Sequence, residues 1–110
     1  MTTTTRVRDL ALALPDVTSA PHFGREAFKV GGKTFATLDD ETVNLRLTVE
    51  QQAEALAVLA SAEPCAGAWG RQGWTSIRHS RTKVAEIDEW LREAWRYRAT
   101  LRILAAHADI

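Results

Sequence analysis

Cysteine is almost missing from this 110-residue chain: Cys65 stands alone, which excludes an internal disulfide and a cysteine-based zinc site. No stretch approaches the ~20 apolar residues that a membrane helix needs. The opening Met-Thr-Thr-Thr-Thr-Arg also lacks the basic segment and apolar run of a secretory leader. A cytoplasmic protein with no membrane partner is therefore expected. Net charge is absent too, since 14 basic residues balance 14 acidic ones, and the molecule as a whole does not advertise a surface for polyanions. His22, His79 and His107 are far apart and belong to no His-x-x-x-His or Glu-x-x-His pattern, so no metal site is legible, and each reads as a surface or half-buried residue. Ser76 and Ser80 have no nucleophile-elbow context, and Gly31-Gly32 lacks the spacing of a phosphate loop. No catalytic residue and no cofactor emerge.

The apolar pattern, by contrast, is informative. Val7, Leu10, Ala11 and Leu14 recur at helical spacing, and Pro15 turns Leu14 away from helical angles, which predicts a first helix over Thr4–Ala13. After a loop through Pro21, His22, Phe23 and Gly24, two apolar segments, Ala27–Val30 and Thr34–Leu38, flank Gly31-Gly32-Lys33 and read as a hairpin. Asp39-Asp40-Glu41 marks another turn, and Val43, Leu45 and Leu47 alternate with Asn44 and Arg46 as in a half-buried strand. Thr48 and Gln51 fit a capping box for a helix to about Ser61, with Val49, Ala53, Leu56 and Ala60 as its packing face. Trp74–Ser80 reads as a further strand. A last helix over Val84–Ala108 carries Ile87, Trp90, Ala94, Tyr97, Leu101, Leu104 and Ala108 in steps of three and four, with Trp95 to one side. One α+β domain follows, the first three strands forming a meander.

Charge is unevenly spread along this frame. Residues 1–65 hold 6 basic and 9 acidic side chains, and residues 66–110 hold 8 and 5, or −3 against +3. Four cations of the second part, Arg71, Arg78, Arg81 and Lys83, have no acidic residue among them and are interleaved with Trp69 and Trp74. Guanidinium and ammonium groups can neutralise phosphates while a base stacks on indole, so DNA or another nucleic acid is the first candidate partner. A solvated cationic face, with tryptophans anchoring the sheet edge, explains the same residues structurally. A small planar ligand is the second candidate, enclosed by Trp69, Trp74 and His22 beside Arg71. A protein interaction surface or homodimer is the third. The later Arg92, Arg96, Arg98 and Arg102 follow Glu86, Asp88, Glu89 and Glu93, the order a helix dipole prefers, and need no ligand to explain them.

The sequence Phe28-Lys29-Val30-Gly31-Gly32-Lys33-Thr34-Phe35-Ala36-Thr37-Leu38, the preceding His22-Phe23-Gly24, the Leu47-Thr48 junction and Trp69-Gly70-Arg71-Gln72-Gly73-Trp74-Thr75 together resemble the MmcQ/YjbR family over roughly Val7 to Leu104. The resemblance implies a frataxin-like (CyaY-like) fold, a two-layer domain with helices packed on one face of an antiparallel sheet of four to five strands, and the DNA-binding label given to a double-wing shape. It supplies no catalytic residues. Frataxins bind iron through an acidic ridge on the first helix; here that helix carries only Asp9 among Arg6 and Arg8, and an iron role is not carried over.

Overall fold

The computed structural model describes residues 1–110 as α1 (Thr4–Leu12), β1 (Val17–His22), β2 (Arg25–Val30), β3 (Lys33–Leu38), β4 (Thr42–Arg46), α2 (Val49–Val58), β5 (Ala62–Pro64), α3 (Gly67–Gln72), β6 (Trp74–Arg78), α4 (Val84–Arg98) and α5 (Leu101–Ala106). The strands form one antiparallel sheet in the order β1-β2-β3-β4-β6-β5. The α+β class and its layering agree with the sequence reading, but the sheet has six strands rather than four to five. The two extra strands are the rims. β1 occupies the segment read as a loop and exposes five of its six residues, so it lacks the alternation that marks a strand. β5 is only three residues long.

Each rim carries a proline, Pro21 in β1 and Pro64 in β5. Both pair inward, Pro21 with Glu26 and Pro64 with Thr75. Proline has no N–H, so it fits such a strand where its nitrogen faces away from the neighbour.

α1 and α4 pack together against one face of the sheet. Val7 and Ala11 from α1 and Ile87, Leu91, Ala94 and Trp95 from α4 meet Phe28, Ala36, Leu45 and Ile77 from the strands in one buried core. Trp95, read as lying beside the core stripe, is fully buried, and its indole N–H donates to the Pro15 carbonyl at 3.0 Å. The stripe itself ends early. α4 stops at Arg98, Ala99 is extended, and the Thr100 hydroxyl accepts from the Ile103 N–H to start α5, leaving Tyr97 partly exposed and Leu101 85% exposed.

The Thr48–Gln51 capping box is present, but α2 ends at Val58 and turns a different face inward. Gln52, Ala55 and Leu59 are buried, whereas Val49, Ala53, Leu56 and Ala60 are exposed. A polar residue wins an inward position because the Gln52 amide donates to the Gly70 and Trp74 carbonyls, both at 3.0 Å. Those carbonyls belong to the corner between α3 and β6, which needs internal donors once buried. His79 likewise proves buried: its ring nitrogens face the Thr2 and Asp39 carbonyls at 2.9 and 3.1 Å, fixing the short 3-10 turn that follows β6.

Candidate functional site on the helix-free sheet face

Register and alternation decide which β6 side chains are available. Thr42 lies opposite Arg78, Asn44 opposite Ser76 and Arg46 opposite Trp74. Thr75 and Ile77 are fully buried with Val43 and Leu45, so Trp74, Ser76 and Arg78 look to the face that α1 and α4 leave open. Glu63 of β5 stands opposite Ser76 on the same face. Trp74 and Arg78, four residues apart on β6, are separated by about 13 Å of strand rise.

At the Trp74 end, the corner between α3 and β6 is set by close approach. Gly73 has φ +117°, and a Cβ there would lie 2.1 Å from the Leu47 carbonyl oxygen; a Cβ on Gly70 would lie 1.9 Å from that of Cys65. α3 differs from the sequence reading, in which Gly67 ends helical structure, because a six-residue helix with two glycines carries little helical signal. It lifts Trp69 over Trp74 with ring centroids 6.1 Å apart and planes at 80°. Trp74 is 8% exposed and Trp69 63%, so the first supports and the second presents. Arg71 is exposed in the last turn of α3. Arg46 donates to the Leu47 and Gln72 carbonyls, and its guanidinium lies 5.3 Å from the centre of the Tyr97 ring. Arg98 donates to the Thr34 carbonyl at 3.1 Å. Burial, and then the charge of Arg46, hold the Arg98 guanidinium below its ordinary pKa.

At the other end, Thr42, Ser61, Glu63, Ser76, Arg78 and Arg81 line an open groove of about 260 Å³. Arg78 has one loose partner, Glu41 at 3.7 Å, whose side chain is largely exposed. Of the 14 cations only Arg8, Arg25, Arg78, Arg92 and Arg96 are ion-paired, and Arg46, Arg71, Arg81, Lys83 and Arg98 are among those without a carboxylate. Lys83 is exposed at the start of α4, beyond the groove, where its N–H donates to Glu86.

Two further charges shape this face. Arg25 pairs with Asp39 at 2.9 Å. Burial tends to raise the Asp39 carboxyl, but N–H donors from Thr42 and Glu41, and then Arg25, outweigh it and hold the group below its ordinary value. Burial pushes the Cys65 thiol up, with Arg25 partly opposing and Glu63 adding to the rise. A half-buried thiol raised in this way is a poor nucleophile at neutral pH.

The residues picked from sequence therefore divide. Trp69, Trp74 and Arg71 gather at one end of β6, and Arg78 and Arg81 at the other, while Lys83 stands just past it. His22 does not join them. It lies on β1, the first strand in the order, against the exposed Phe23 ring at 4.8 Å, whereas β6 is the fifth. The planar slot expected from His22, Trp69 and Trp74 is not formed, because the two indoles meet each other edge to face. Arg46 and Glu63 reach the site only through the pairing of β4 and β5 with β6, and register between distant segments leaves no local signature in the sequence.

The sequence model of the family described as YjbR matches residues 12–97. A crystal structure of the Deinococcus radiodurans protein DR2400, carrying the DUF419 domain, is similar in fold: the TM-score is 0.75 at 18% identity, covering 98% of this chain and 89% of that one. Comparison with curated proteins finds no match.

Proposed function

Because the chain belongs to the YjbR family, whose membership names no reaction, we propose from its own surface chemistry that it is a non-catalytic binding module for single-stranded nucleic acid. The observation that carries this reading is Trp69, an indole left 63% exposed on a rigid aromatic support. An exposed indole plane is costly to leave in water and accepts any base by stacking, a contribution of roughly 1–3 kcal/mol per base. Cations without carboxylate partners lie on both sides, Arg71 in the last turn of the helix that carries Trp69 and Arg81 in the groove with Arg78. Their placement beyond the two ends of β6, which are about 13 Å apart in strand rise, suits an extended polymer better than a compact ligand. Local concentration of charge explains how a chain of zero net charge would bind a polyanion, since screening over ~8 Å in physiological salt makes only nearby charges count.

The non-catalytic part rests on the same inventory. His79 has both ring nitrogens facing carbonyls, and Cys65 is a weakened thiol. Ser61 is engaged with Thr82 at 2.6 Å. None of these makes a nucleophile–base pair.

Titration of labelled single-stranded DNA and RNA at low salt, with tryptophan fluorescence as a second readout, tests the proposal. Binding that quenches tryptophan emission and weakens with salt is expected. Absence of binding to both polymers at low salt, with the protein folded, removes the proposal.

A further inference from the structure

We infer that the groove at the Arg78 end of β6 is a ribose-phosphate subsite, which makes RNA rather than DNA the preferred polymer. This inference rests on the nucleic-acid reading above and adds what distinguishes one sugar from the other.

The charged groups in the groove are segregated, guanidinium at one level and carboxylate at the next. Arg78 and Arg81 supply guanidinium donors, and Arg81 has no carboxylate to satisfy it. The hydroxyls can be assigned by following their protons. Thr82 Oγ1 donates to the Arg78 carbonyl at 2.9 Å, so it must accept from Ser61 in their 2.6 Å contact. Ser61 thus spends its proton internally and offers the groove only lone pairs. Thr42 similarly donates to Asp39. Glu63, exposed and opposite Ser76, is a second acceptor.

An anion alone would be poorly served here, because Glu63 repels it. A ligand that places an anionic group against the arginines and a hydroxyl donor a few ångströms away uses both. The Arg78 N–H donates to the Ser61 carbonyl, so Arg78 and Ser61 mark one level of the sheet, and Ser76 and Glu63 mark the next on the same face, about 7 Å along the strand. A ribonucleotide has that polarity: phosphate at one end, and a 2′-hydroxyl to donate to Glu63. Deoxyribose lacks the donor, so the exposed Glu63 carboxylate repels the strand with no compensating hydrogen bond. Glu41, which touches Arg78 at 3.7 Å from an exposed position, is free to move aside for phosphate.

The test compares oligouridylate with oligodeoxyuridylate of equal length on the intact protein, on Glu63→Ala and on Arg81→Ala, each checked for an unchanged melt. Wild type is expected to favour RNA by about tenfold, the worth of one charge-assisted hydrogen bond. Glu63→Ala should abolish the preference by improving DNA binding and weakening RNA. Arg81→Ala should weaken both. Equal affinity of wild type for the two polymers overturns this inference and leaves the nucleic-acid reading standing. If neither polymer binds, that reading falls, and the groove is judged by itself with ribose 5-phosphate and 2-deoxyribose 5-phosphate in a thermal-shift measurement. A shift with the ribose compound alone supports the subsite; a shift with both or with neither overturns it.

Discussion

Trp69 stands edge-on to Trp74, 6.1 Å between ring centres, with one indole in solvent and its neighbour enclosed. The two residue types are the same, yet the work asked of them differs, and substitution separates the two.

Trp69→Ala should leave folding stability within about 1 kcal/mol of wild type while weakening single-stranded nucleic acid by roughly 1–3 kcal/mol. Trp74→Ala should cost about 3 kcal/mol or more in folding, because it empties a packed site. Urea unfolding and fluorescence titration of the two variants check the contrast; equal destabilisation would show that the exposed ring is structural.

Salt dependence reports the cations. The slope of log affinity against log salt should fall by about 0.7, the single-strand value per phosphate, for each of Arg71, Arg78 and Arg81 replaced by Ala. Arg92→Ala on α4, where the guanidinium is held by Asp88 at 3.0 Å, should leave the slope unchanged. A titration series at several salt concentrations measures this directly.

Gly73→Ala should be among the most damaging small substitutions in the chain. Its φ of +117° is strained for alanine, and the new methyl would press on the Leu47 carbonyl. A loss above about 2 kcal/mol is expected. Gly32→Ala, at φ +80° with nothing within 4 Å, should cost only about 1 kcal/mol. The difference in urea midpoint between the two reads the close approach apart from the backbone strain.

Asp39 gives the fold a defined response to acid. Its carboxyl is held below the value it has in the unfolded chain, so its contribution is complete above the ordinary carboxylate range and disappears as pH falls through the lowered value. Asp39→Asn should therefore be less stable than wild type at neutral pH, with the gap closing on acidification. Denaturation midpoints measured from pH 7 downward test the sign, which a purely steric role for Asp39 would not produce.

Much of the frame was legible because the responsible interactions are local. The Gly31-Gly32 turn, the Thr48–Gln51 box and the alternation of Val43, Leu45 and Leu47 each depend on neighbours within a few residues, and each is present. The failures have non-local causes. Gln52 is inward because carbonyls eighteen and twenty-two residues away require a donor. The break before Thr100 follows from a cap that an unbroken apolar stripe concealed. The site was legible in part: a short segment supplied Trp69, Arg71, Trp74, Arg78 and Arg81. Arg46 and Glu63 reach it only through strand pairing, and His22, grouped with the indoles by composition, is carried off by the same pairing.

Pro21 and Pro64 sit on opposite rims of the sheet and have a consequence for life in a concentrated cell. Two such molecules that collide rim to rim find a missing hydrogen where a continuous ladder would have to begin, so neither can recruit the other into a growing ribbon. The broad face between the rims can stay wet and open without the usual hazard of an unfinished sheet.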